Sequence, residues 1–407
     1  MSYVFVADDF TGASDTLATL SRGGLAVRLF RDLPPPEALA GLDAWGIATP
    51  ARSLDREGIA ALAARLGAGL ADHAPAFLHV KVCSTFDSSP RIGNIALLAQ
   101  GLADALRIRD LALIGGQPSL GRHCIFGTLF ARGQDGRTHR IDRHPVMSVH
   151  PVTPMEEADL LRHFAALGLH GLELVPRGGR GRGFPRLYDA LVPEDVAAAG
   201  RDLLGAGRRL LVMGASSVAE AWLAAHPGRV QQSVPGLPAR GPVLVFAGSR
   251  SSLTTAQIAG ADGVARLPLP PAHVLADGPE AERARAWARE RLTRGQDCIL
   301  YLTADGTGGI EPARLAKASA GLVARILGDG PAAGLVVAGG DTSSAIVTAL
   351  APDWLDHAGD ICAGVPILAA RLGARSMPLA LKGGQMGEAD FFARALARLK
   401  APEVSPA

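Results

Sequence analysis

The sequence predicts an α/β protein of two domains with mainly parallel sheets and an active-site cleft between the domains. Short apolar, β-branched segments alternate with longer helical segments, which is typical of parallel α/β folds. The 407 residues are enough for two domains, each with its own core. Residues 229–241 lack apolar periodicity and contain two prolines, so they are the best linker candidate. We therefore predict domains at 1–235 and 236–407.

The predicted strands are short apolar segments that end in small or polar residues. In the first domain they are Tyr3–Ala7, Ala26–Phe30, Ala44–Ala48, Phe77–Val82, Asp110–Ile114 and Arg209–Met213. In the second domain they are Val243–Ala247, Cys298–Thr303, Gly334–Ala338 and Pro378–Lys382. The segments between the strands have helical periodicity, as in Glu280–Thr293 and Pro312–Leu327.

The composition disfavours several classes of protein. Although 48% of the residues are hydrophobic and the mean hydropathy is +0.19, no run of about 18 apolar residues occurs. The 41 basic and 39 acidic residues nearly cancel, which argues against a dedicated nucleic-acid or polyanion binder. The first nine residues, MSYVFVADD, do not resemble a signal peptide, and the four cysteines have no metal-ligand spacing. We expect a cytoplasmic protein without membrane or nucleic-acid partners.

Lysine is rare in this chain, because only four of the 41 basic residues are lysines. Lys317 and Lys400 lie in predicted helices, where a surface position explains them. Lys81 and Lys382 instead end predicted strands and run into hydroxyl-rich or glycine-rich segments. An ammonium is a compact charge that the arginine fork does not replace everywhere, so these two lysines are candidate ligand contacts.

Two polar clusters follow predicted strands of the first domain. Asp8 and Asp9 come directly after the first strand, with Asp15 six residues on, and could bind hydroxyls, hold a metal or act as a base. A helix N-cap is the simpler interpretation, but one carboxylate suffices for a cap. In the second cluster, Lys81–Pro90, the ammonium and hydroxyls suit a carboxylate or polyhydroxy ligand, although Asp87–Pro90 alone fits a turn and a cap.

Arg52 lies shortly after another predicted strand of the first domain, in the segment Thr49-Pro50-Ala51-Arg52-Ser53. A guanidinium pairs with a carboxylate through two parallel hydrogen bonds. Arg52 is therefore predicted to be a second contact for an anion, whereas alone it would be an ordinary surface arginine.

Three clusters follow predicted strands of the second domain: Phe246–Ser252, Ala338–Ser344 and Leu381–Gly387. Small residues and hydroxyls before a helix leave free N–H donors and room for a phosphate. A tight turn capped by Thr342 or Ser343 is the alternative. Because no GxxxxGK[ST] or GxGxxG motif occurs, a nucleotide site here must be of another kind.

These clusters also carry a resemblance. Four motifs occur in order: ADDFTGASD at 7–15, KVCSTFDSSP at 81–90, GGDTS at 339–343 and KGGQMG at 382–387. Together they resemble the four-carbon acid sugar kinase family across essentially the whole chain. The resemblance implies an N-terminal sugar-acid domain, a C-terminal nucleotide domain and phosphorylation of threonate, erythronate or 3-oxo-tetronate with ATP and Mg²⁺.

The resemblance also narrows the substrate. KVCSTFDSSP at 81–90 is similar to the 3-oxo-tetronate 4-kinase branch, which phosphorylates the terminal hydroxyl, as are residues 121–123 and 150–155. Two segments depart from the family pattern: KGGQMG at 382–387 stands where KSGNFG is usual, and residues 213–217 lack the usual GGSG. A 3-oxo-isoapionate kinase and a threonate or erythronate kinase remain alternatives. A non-catalytic sugar-acid sensor is a further one, and the oligomeric state, including a homodimer, stays open.

The same resemblance assigns roles to individual residues. Substrate contacts are expected from Asp8, Asp9, Arg52, Lys81, Ser84 and Thr85. Nucleotide contacts are expected from Ser249, Ser251, Gly339, Gly340, Asp341, Thr342, Gly383 and Gly384. For the catalytic base, Asp341 competes with Asp9 and Asp8, and no ligand for Mg²⁺ is named.

Overall fold

A computed structural model of the chain describes residues 3–150, 152–205, 207–229, 236–304 and 310–401. The chain forms two compact units, Met1–Gln232 and Ser233–Ala407. The predicted boundary at residue 235 lies outside the described residues, as does part of the predicted linker. Each unit is an α/β structure, and the α/β class predicted from the sequence is confirmed.

The first unit contains twelve strands in its described residues. They are β1 (Tyr3–Ala7), β2 (Val27–Phe30), β3 (Ala44–Ala48), β4 (Phe77–Lys81), β5 (Asp110–Ile114), β6 (Gly116–Gln117), β7 (Arg122–Ile125), β8 (Thr128–Arg132), β9 (Thr138–Arg140), β10 (Glu173–Val175), β11 (Arg186–Tyr188) and β12 (Leu210–Gly214). Its helices are α1 (Phe10–Arg22), α2 (Arg56–Ala71), α3 (Ile95–Leu106), α4 (Leu160–Ala166), α5 (Pro193–Leu204) and α6 (Ser217–Ala225). Short 3₁₀ turns connect several of these elements, including Ala51–Ser53 after β3.

Eight of these strands form a parallel sheet in the order β10-β11-β5-β12-β4-β1-β3-β2. Strands β1, β3, β4 and β12 are buried along their whole length, which explains their nearly continuous apolar sequences. The chain runs from β1 outward to β2, returns to β3 beside β1, and then places β4 on the other side of β1. Because the strand order reverses at β1, the loops after β1 and β4 bound a crevice at the carboxyl edge of the sheet.

A small antiparallel sheet, in the order β6-β7-β8-β9, follows directly after β5. Its strands are two to five residues long and mix polar with apolar residues, so no clear apolar run marks them in the sequence. The sequence analysis did not predict this sheet. It brings β7 to the same end of β5 at which the carboxyl ends of the parallel strands lie.

The second unit contains seven strands and six helices in its described residues. The strands are β13 (Val243–Ala247), β14 (Ala265–Leu269), β15 (Cys298–Leu302), β16 (Gly334–Ala338), β17 (Trp354–Cys362), β18 (Val365–Leu372) and β19 (Arg375–Lys382). The helices are α7 (Ser252–Ala259), α8 (Pro271–Ala276), α9 (Pro279–Thr293), α10 (Pro312–Asp329), α11 (Gly340–Leu350) and α12 (Phe391–Lys400).

The strand order of the second unit is β17-β18-β19-β16-β13-β15-β14. Strands β14, β15, β13, β16 and β19 run parallel, whereas β17, β18 and β19 form an antiparallel meander. The order around β13 repeats that around β1: the chain leaves β13, returns beside it as β15, and then adds β16 on its other side. The loops after β13 and β16 therefore bound a second crevice at a switch point.

The predicted strands agree with the structure to within one residue at most of their ends. The exception is Pro378–Lys382, which begins at Arg375 because exposed residues extend it into the meander with β18. Five further strands were not predicted: β10 and β11, which have only three residues each, and β14, β17 and β18, whose buried and exposed positions are mixed.

Candidate active site

The carboxyl ends of β1, β3 and β4 meet at one edge of the first sheet. The register pairs Ala7 of β1 with Ala48 of β3 and with Lys81 of β4. The backbone N–H of Asp8 donates to the Lys81 carbonyl oxygen at 3.0 Å, and the N–H of Arg52 donates to the Asp8 carbonyl oxygen at 3.1 Å. Three segments that are far apart in sequence are thereby tied to each other.

Arg52 binds both carboxylates that follow β1. Its Nε and Nη2 donate to the two oxygens of Asp8 at 3.0–3.2 Å, and its Nη1 donates to Asp9 Oδ2 at 3.1 Å. The Asp8 side chain is 1% exposed and that of Arg52 is 22% exposed. The sequence analysis expected Arg52 to be an anion contact. In the structure, its guanidinium is already held by the protein's own carboxylates.

Burial dominates the electrostatics of Asp8. It raises the pKa of the Asp8 carboxyl to about 6, against the opposing effect of Arg52 and with a further raising effect from Asp9. The same two carboxylates raise the pKa of Arg52 well above its usual value, in spite of the cost of burial. Asp8 therefore changes its charge near pH 6, whereas Arg52 stays charged.

Asp9 also begins helix α1. Its Oδ1 accepts a hydrogen bond from the Gly12 N–H at 2.8 Å, so the N-cap interpretation and the ion pair with Arg52 hold together. A Cβ added to Gly12 would lie 2.7 Å from Asp9 Oδ1 and 2.7 Å from Lys81 Nζ. Glycine at position 12 thus lets the first turn of α1 pack directly against the carboxylate and the ammonium.

Lys81 is buried at the end of β4, where its Nζ donates to the Val82 carbonyl oxygen at 2.8 Å. Two residues earlier, His79 lies between Tyr3 Oη, 2.8 Å from its Nδ1, and the Gly214 carbonyl oxygen, 3.1 Å from its Nε2. Because a carbonyl only accepts, Nε2 carries the proton and Nδ1 accepts from the tyrosine. Burial lowers the pKa of His79 to about 3, so this neighbour of Lys81 is neutral.

Asp87 belongs to this cluster, although a turn and a cap seemed to explain it. Its carboxylate is buried and accepts hydrogen bonds from the hydroxyls of Thr85 at 2.5 Å and Thr153 at 3.3 Å. Burial raises the pKa of Asp87, but Arg52 and the Thr85 hydroxyl outweigh it and hold the pKa below its usual value. Asp87 therefore does more than form a turn, because its buried carboxylate also acts on the charge of Arg52. Ser84 is half-buried and forms no hydrogen bond to these residues in the described part of the chain.

A second group of polar side chains lies beside α1. The Asp15 Oδ2 accepts hydrogen bonds from Ser216 Oγ at 2.5 Å and from Gln117 Nε2 at 3.3 Å. Ser216 follows β12, and Gln117 lies in β6 just beyond the end of β5, so both lie near carboxyl ends of strands of the parallel sheet. Asp15 was grouped with Asp8 and Asp9 as a possible hydroxyl, metal or proton-accepting site, but its contact with Ser216 was not predicted, because that contact spans about half of the chain.

In the second unit, the segment after β13 forms a cluster of hydroxyls. Ser251 is the N-cap of α7, and its Oγ donates to the Gly384 carbonyl oxygen at 2.7 Å. Thr254 Oγ1 lies 3.2 Å from Ser249 Oγ and accepts from Lys382 Nζ at 3.2 Å. The predicted nucleotide contacts of two motifs, separated by more than 100 residues, therefore lie next to each other.

Lys382 is fully buried at the end of β19. Its Nζ also donates to the Gly383 carbonyl oxygen at 3.1 Å and lies 5.6 Å from the centre of the Phe391 ring. Burial lowers the pKa of Lys382 to about 8, partly opposed by the Cys362 thiol. The ammonium is therefore charged at neutral pH but easily deprotonated above it.

The glycine turn after β16 packs against the segment after β13. Gly339 has φ +120°, and a Cβ there would lie 3.0 Å from the Ser249 backbone nitrogen. A Cβ on Gly248 would lie 2.1 Å from Thr342 Oγ1, so only glycine fits there. The two predicted phosphate loops, after β13 and after β16, thus form a single surface.

Helix α11 begins at Gly340 without a side-chain cap. The alternative interpretation, in which Thr342 or Ser343 caps this helix, is therefore wrong. The unpaired backbone N–H groups of a first helical turn are donors for an anion. Asp341 is exposed in this turn, and its carboxylate has no hydrogen bond to any described residue.

The described residues contain neither a membrane-spanning helix nor a cluster of metal ligands. No helix among the described residues has the length and apolarity needed to cross a bilayer. Over the same residues, no group of three or more His, Cys, Asp or Glu side chains is placed to hold a metal ion. The four cysteines are free thiols.

Comparison with known proteins identifies both units. Residues 3–222 match the family model described as a sugar-binding N-terminal domain, and residues 244–392 match that of a nucleotide-binding C-terminal domain. A 3-oxo-isoapionate kinase of Paraburkholderia graminis is 34% identical, with 95% of this chain and 92% of the relative covered. A 3-oxo-tetronate kinase of Methylobacterium radiotolerans is 33% identical, with 96% and 97% covered.

Solved structures agree on the fold. A Salmonella typhimurium LT2 protein of 25% identity aligns with a TM-score of 0.78 over 97% of this chain and 98% of its own. A Haemophilus influenzae protein of 24% identity has a TM-score of 0.68 and covers 97% of this chain. With both units matched and relatives aligned along nearly the whole chain, the protein belongs to the four-carbon acid sugar kinase family.

Proposed function

We propose that this protein is an ATP-dependent kinase that phosphorylates the terminal hydroxyl of a small 3-oxo sugar acid, with 3-oxo-tetronate as the substrate and its 4-phosphate as the product. The observation that carries the proposal is the presence of two differently built sites on two units. One combines a buried lysine, an arginine and buried carboxylates, and the other combines hydroxyls, a glycine turn and a buried lysine. The names of full-length relatives support this choice of substrate and reaction.

In the first unit, we assign the sugar acid to the surface formed by Asp8, Asp9, Arg52, Lys81, Ser84 and Thr85. Carboxylate oxygens accept hydrogen bonds from sugar hydroxyls, and Lys81 balances the charge of the acid. Arg52 acts through Asp8 and Asp9, because its donors are bonded to them. Arg52 holds both carboxylates in one orientation, so the sugar acid binds to side chains that are already ordered.

In the second unit, we assign the ATP phosphates to the surface between Ser249, Ser251, the turn from Gly339 to Thr342, and Gly383 with Gly384. The first turn of α11 supplies backbone donors, and Lys382 supplies the positive charge that partly neutralises the phosphates. Mg²⁺ brings further neutralisation when it is bound with ATP.

Phosphoryl transfer needs an oriented hydroxyl and a group that accepts its proton. We propose Asp341 as that base. Both oxygens of Asp9 and both of Asp8 already accept hydrogen bonds from Gly12 or Arg52, which weakens them as proton acceptors. The Asp341 carboxylate has no such bond within the described residues.

An ADP-release assay with a panel of acids tests this function. We expect turnover with 3-oxo-tetronate to exceed that with 3-oxo-isoapionate, both threonates and erythronate by at least tenfold in kcat/KM. A 3-oxo-isoapionate kinase is the competing assignment, because the relative of that name is 34% identical. If kcat/KM is highest with 3-oxo-isoapionate, the protein is a 3-oxo-isoapionate kinase. Binding of an acid without any ADP release would instead favour a sugar-acid sensor.

The pH dependence is expected to show two limbs from two sites. The kcat/KM for the sugar acid should fall below about pH 6, because protonated Asp8 no longer balances Arg52. The kcat/KM for ATP should fall above about pH 8, because Lys382 loses its charge there. Initial rates from pH 5 to pH 9.5 measure both limbs. The Lys382→Met variant is the matched control, and its kcat/KM for ATP should no longer fall above pH 8. If the fall persists in this variant, Lys382 is not its source.

A further inference from the structure

Arg122 brings a third cation to the carboxyl edge of the first sheet. It lies in β7, directly opposite Gln117 of β6. Residues opposite each other in an antiparallel pair project from the same face. The Gln117 side chain reaches Asp15 on α1, and the Arg122 guanidinium interacts electrostatically with Asp15 and with Cys83. Arg122 therefore faces the same crevice as Lys81 and the first turns of α1.

The hydrogen bonding of Arg122 is incomplete. Its Nη1 donates to the Leu120 carbonyl oxygen, which fixes the orientation of the guanidinium. Its Nε is buried and has no acceptor among the described residues. The edge formed by Nε and Nη2 therefore presents two parallel donors that no described residue uses. By contrast, Nε, Nη1 and Nη2 of Arg52 all donate hydrogen bonds to Asp8 or Asp9.

A half-buried guanidinium whose Nε is shielded from solvent and has no acceptor is costly for the folded protein. Burial lowers the pKa of Arg122 below its ordinary value, although Cys83 and Asp15 act in the opposite direction. An anion that binds between the two free donors would remove this cost. A carboxylate matches the spacing of Nε and Nη2 and forms two parallel hydrogen bonds with them.

We propose that Arg122 binds the carboxylate of the sugar acid through its Nε and Nη2. The inference rests on the proposed function and makes Arg122, rather than Arg52, the residue that distinguishes an acid from a neutral sugar. Lys81 then contributes charge from the neighbouring strand end, while Asp8 and Asp9 remain available for hydroxyls.

The test compares Arg122→Met with the wild-type protein on 3-oxo-tetronate and on its uncharged amide. We expect the variant to raise KM for the acid about 30- to 100-fold, with KM for ATP changed less than twofold. The amide should be a poor substrate for the wild type by a similar factor, and Arg122→Met should weaken its use only slightly. The melting temperature of the ligand-free variant should not fall, because a half-buried charge with an unsatisfied Nε is removed.

Arg132→Met is the matched control, since Arg132 is an exposed arginine on the adjacent strand β8. It should leave KM and the melting temperature unchanged. A normal KM for the acid in Arg122→Met would overturn the inference. Equal losses on acid and amide together with a lower melting temperature would also overturn it, because they indicate a structural role. If the protein shows no turnover, calorimetry without ATP can compare the affinities of the wild type and Arg122→Met for 3-oxo-tetronate. A lack of turnover would contradict the proposed function but not the role of Arg122 in binding the acid.

Discussion

Replacing Asp341 by asparagine is expected to lower kcat by about three orders of magnitude, while KM for ATP and for the sugar acid changes only a few fold. The side chain keeps its size but can no longer accept a proton. Asp341 is exposed in the first turn of α11, where loss of one charge disturbs little packing. Steady-state kinetics with ADP detection, together with direct binding of both substrates, measures the two effects separately.

Glu280→Gln is the matched control for Asp341→Asn. Glu280 is an exposed acid in the first turn of α9, another helix of the second unit, so its change removes a similar charge from a helix start. Normal kinetics are expected in this control. Near-normal kcat in Asp341→Asn would reject Asp341 as the base and leave Asp8, with its raised pKa, as the next candidate.

Asp9→Asn is expected to weaken binding of the sugar acid by at least 100-fold without unfolding the protein. Asparagine caps a helix as well as aspartate does, so the bond from the Gly12 N–H to Oδ1 is kept. Its Nδ2 would then face Arg52 Nη1, and two donors would oppose each other where a 3.1 Å ion pair exists now. Arg52 and the Asp8 carboxylate would shift, and the hydroxyl-binding surface would be lost.

The matched control for Asp9→Asn is Asp55→Asn. Asp55 caps α2 and accepts a hydrogen bond from the Gly58 N–H at 2.8 Å, the same cap geometry as Asp9 with Gly12. Titration calorimetry should show normal acid binding for Asp55→Asn, and circular dichroism should show folded protein for both variants. Acid binding that survives in Asp9→Asn would remove Asp9 from the substrate site.

Some residues of the two sites could be predicted from the sequence alone. Lys81 and Lys382 stand out because they are rare and end apolar strands, and both are buried beside polar groups. Asp9 and Ser251 also stand out, since helix N-caps have a local signature. Each of these signals depends on residues within one strand–loop–helix segment.

Contacts between distant segments could not be foreseen in the same way. The double ion pair of Arg52 with Asp8 and Asp9 spans more than 40 residues, and nothing local distinguishes it from a free surface arginine. Arg122 lies in the segment 121–123 that resembles the 3-oxo-tetronate 4-kinase branch, but nothing local marks it as a ligand contact. It acquires its orientation from the small antiparallel sheet, whose short mixed strands have no clear apolar pattern.

The alternation of apolar strands and helices was sufficient to predict the α/β class and most strand positions, because a buried parallel strand requires an unbroken apolar run. The polar clusters could also be predicted from sequence, because polar and glycine residues directly follow the apolar runs. Strand order, however, depends on packing between segments remote in the chain, and it places β1 beside β4 and β13 beside β16. That order decides which carboxylates are ion-paired and which cation keeps free donors, because buried charges are governed by their neighbours in space.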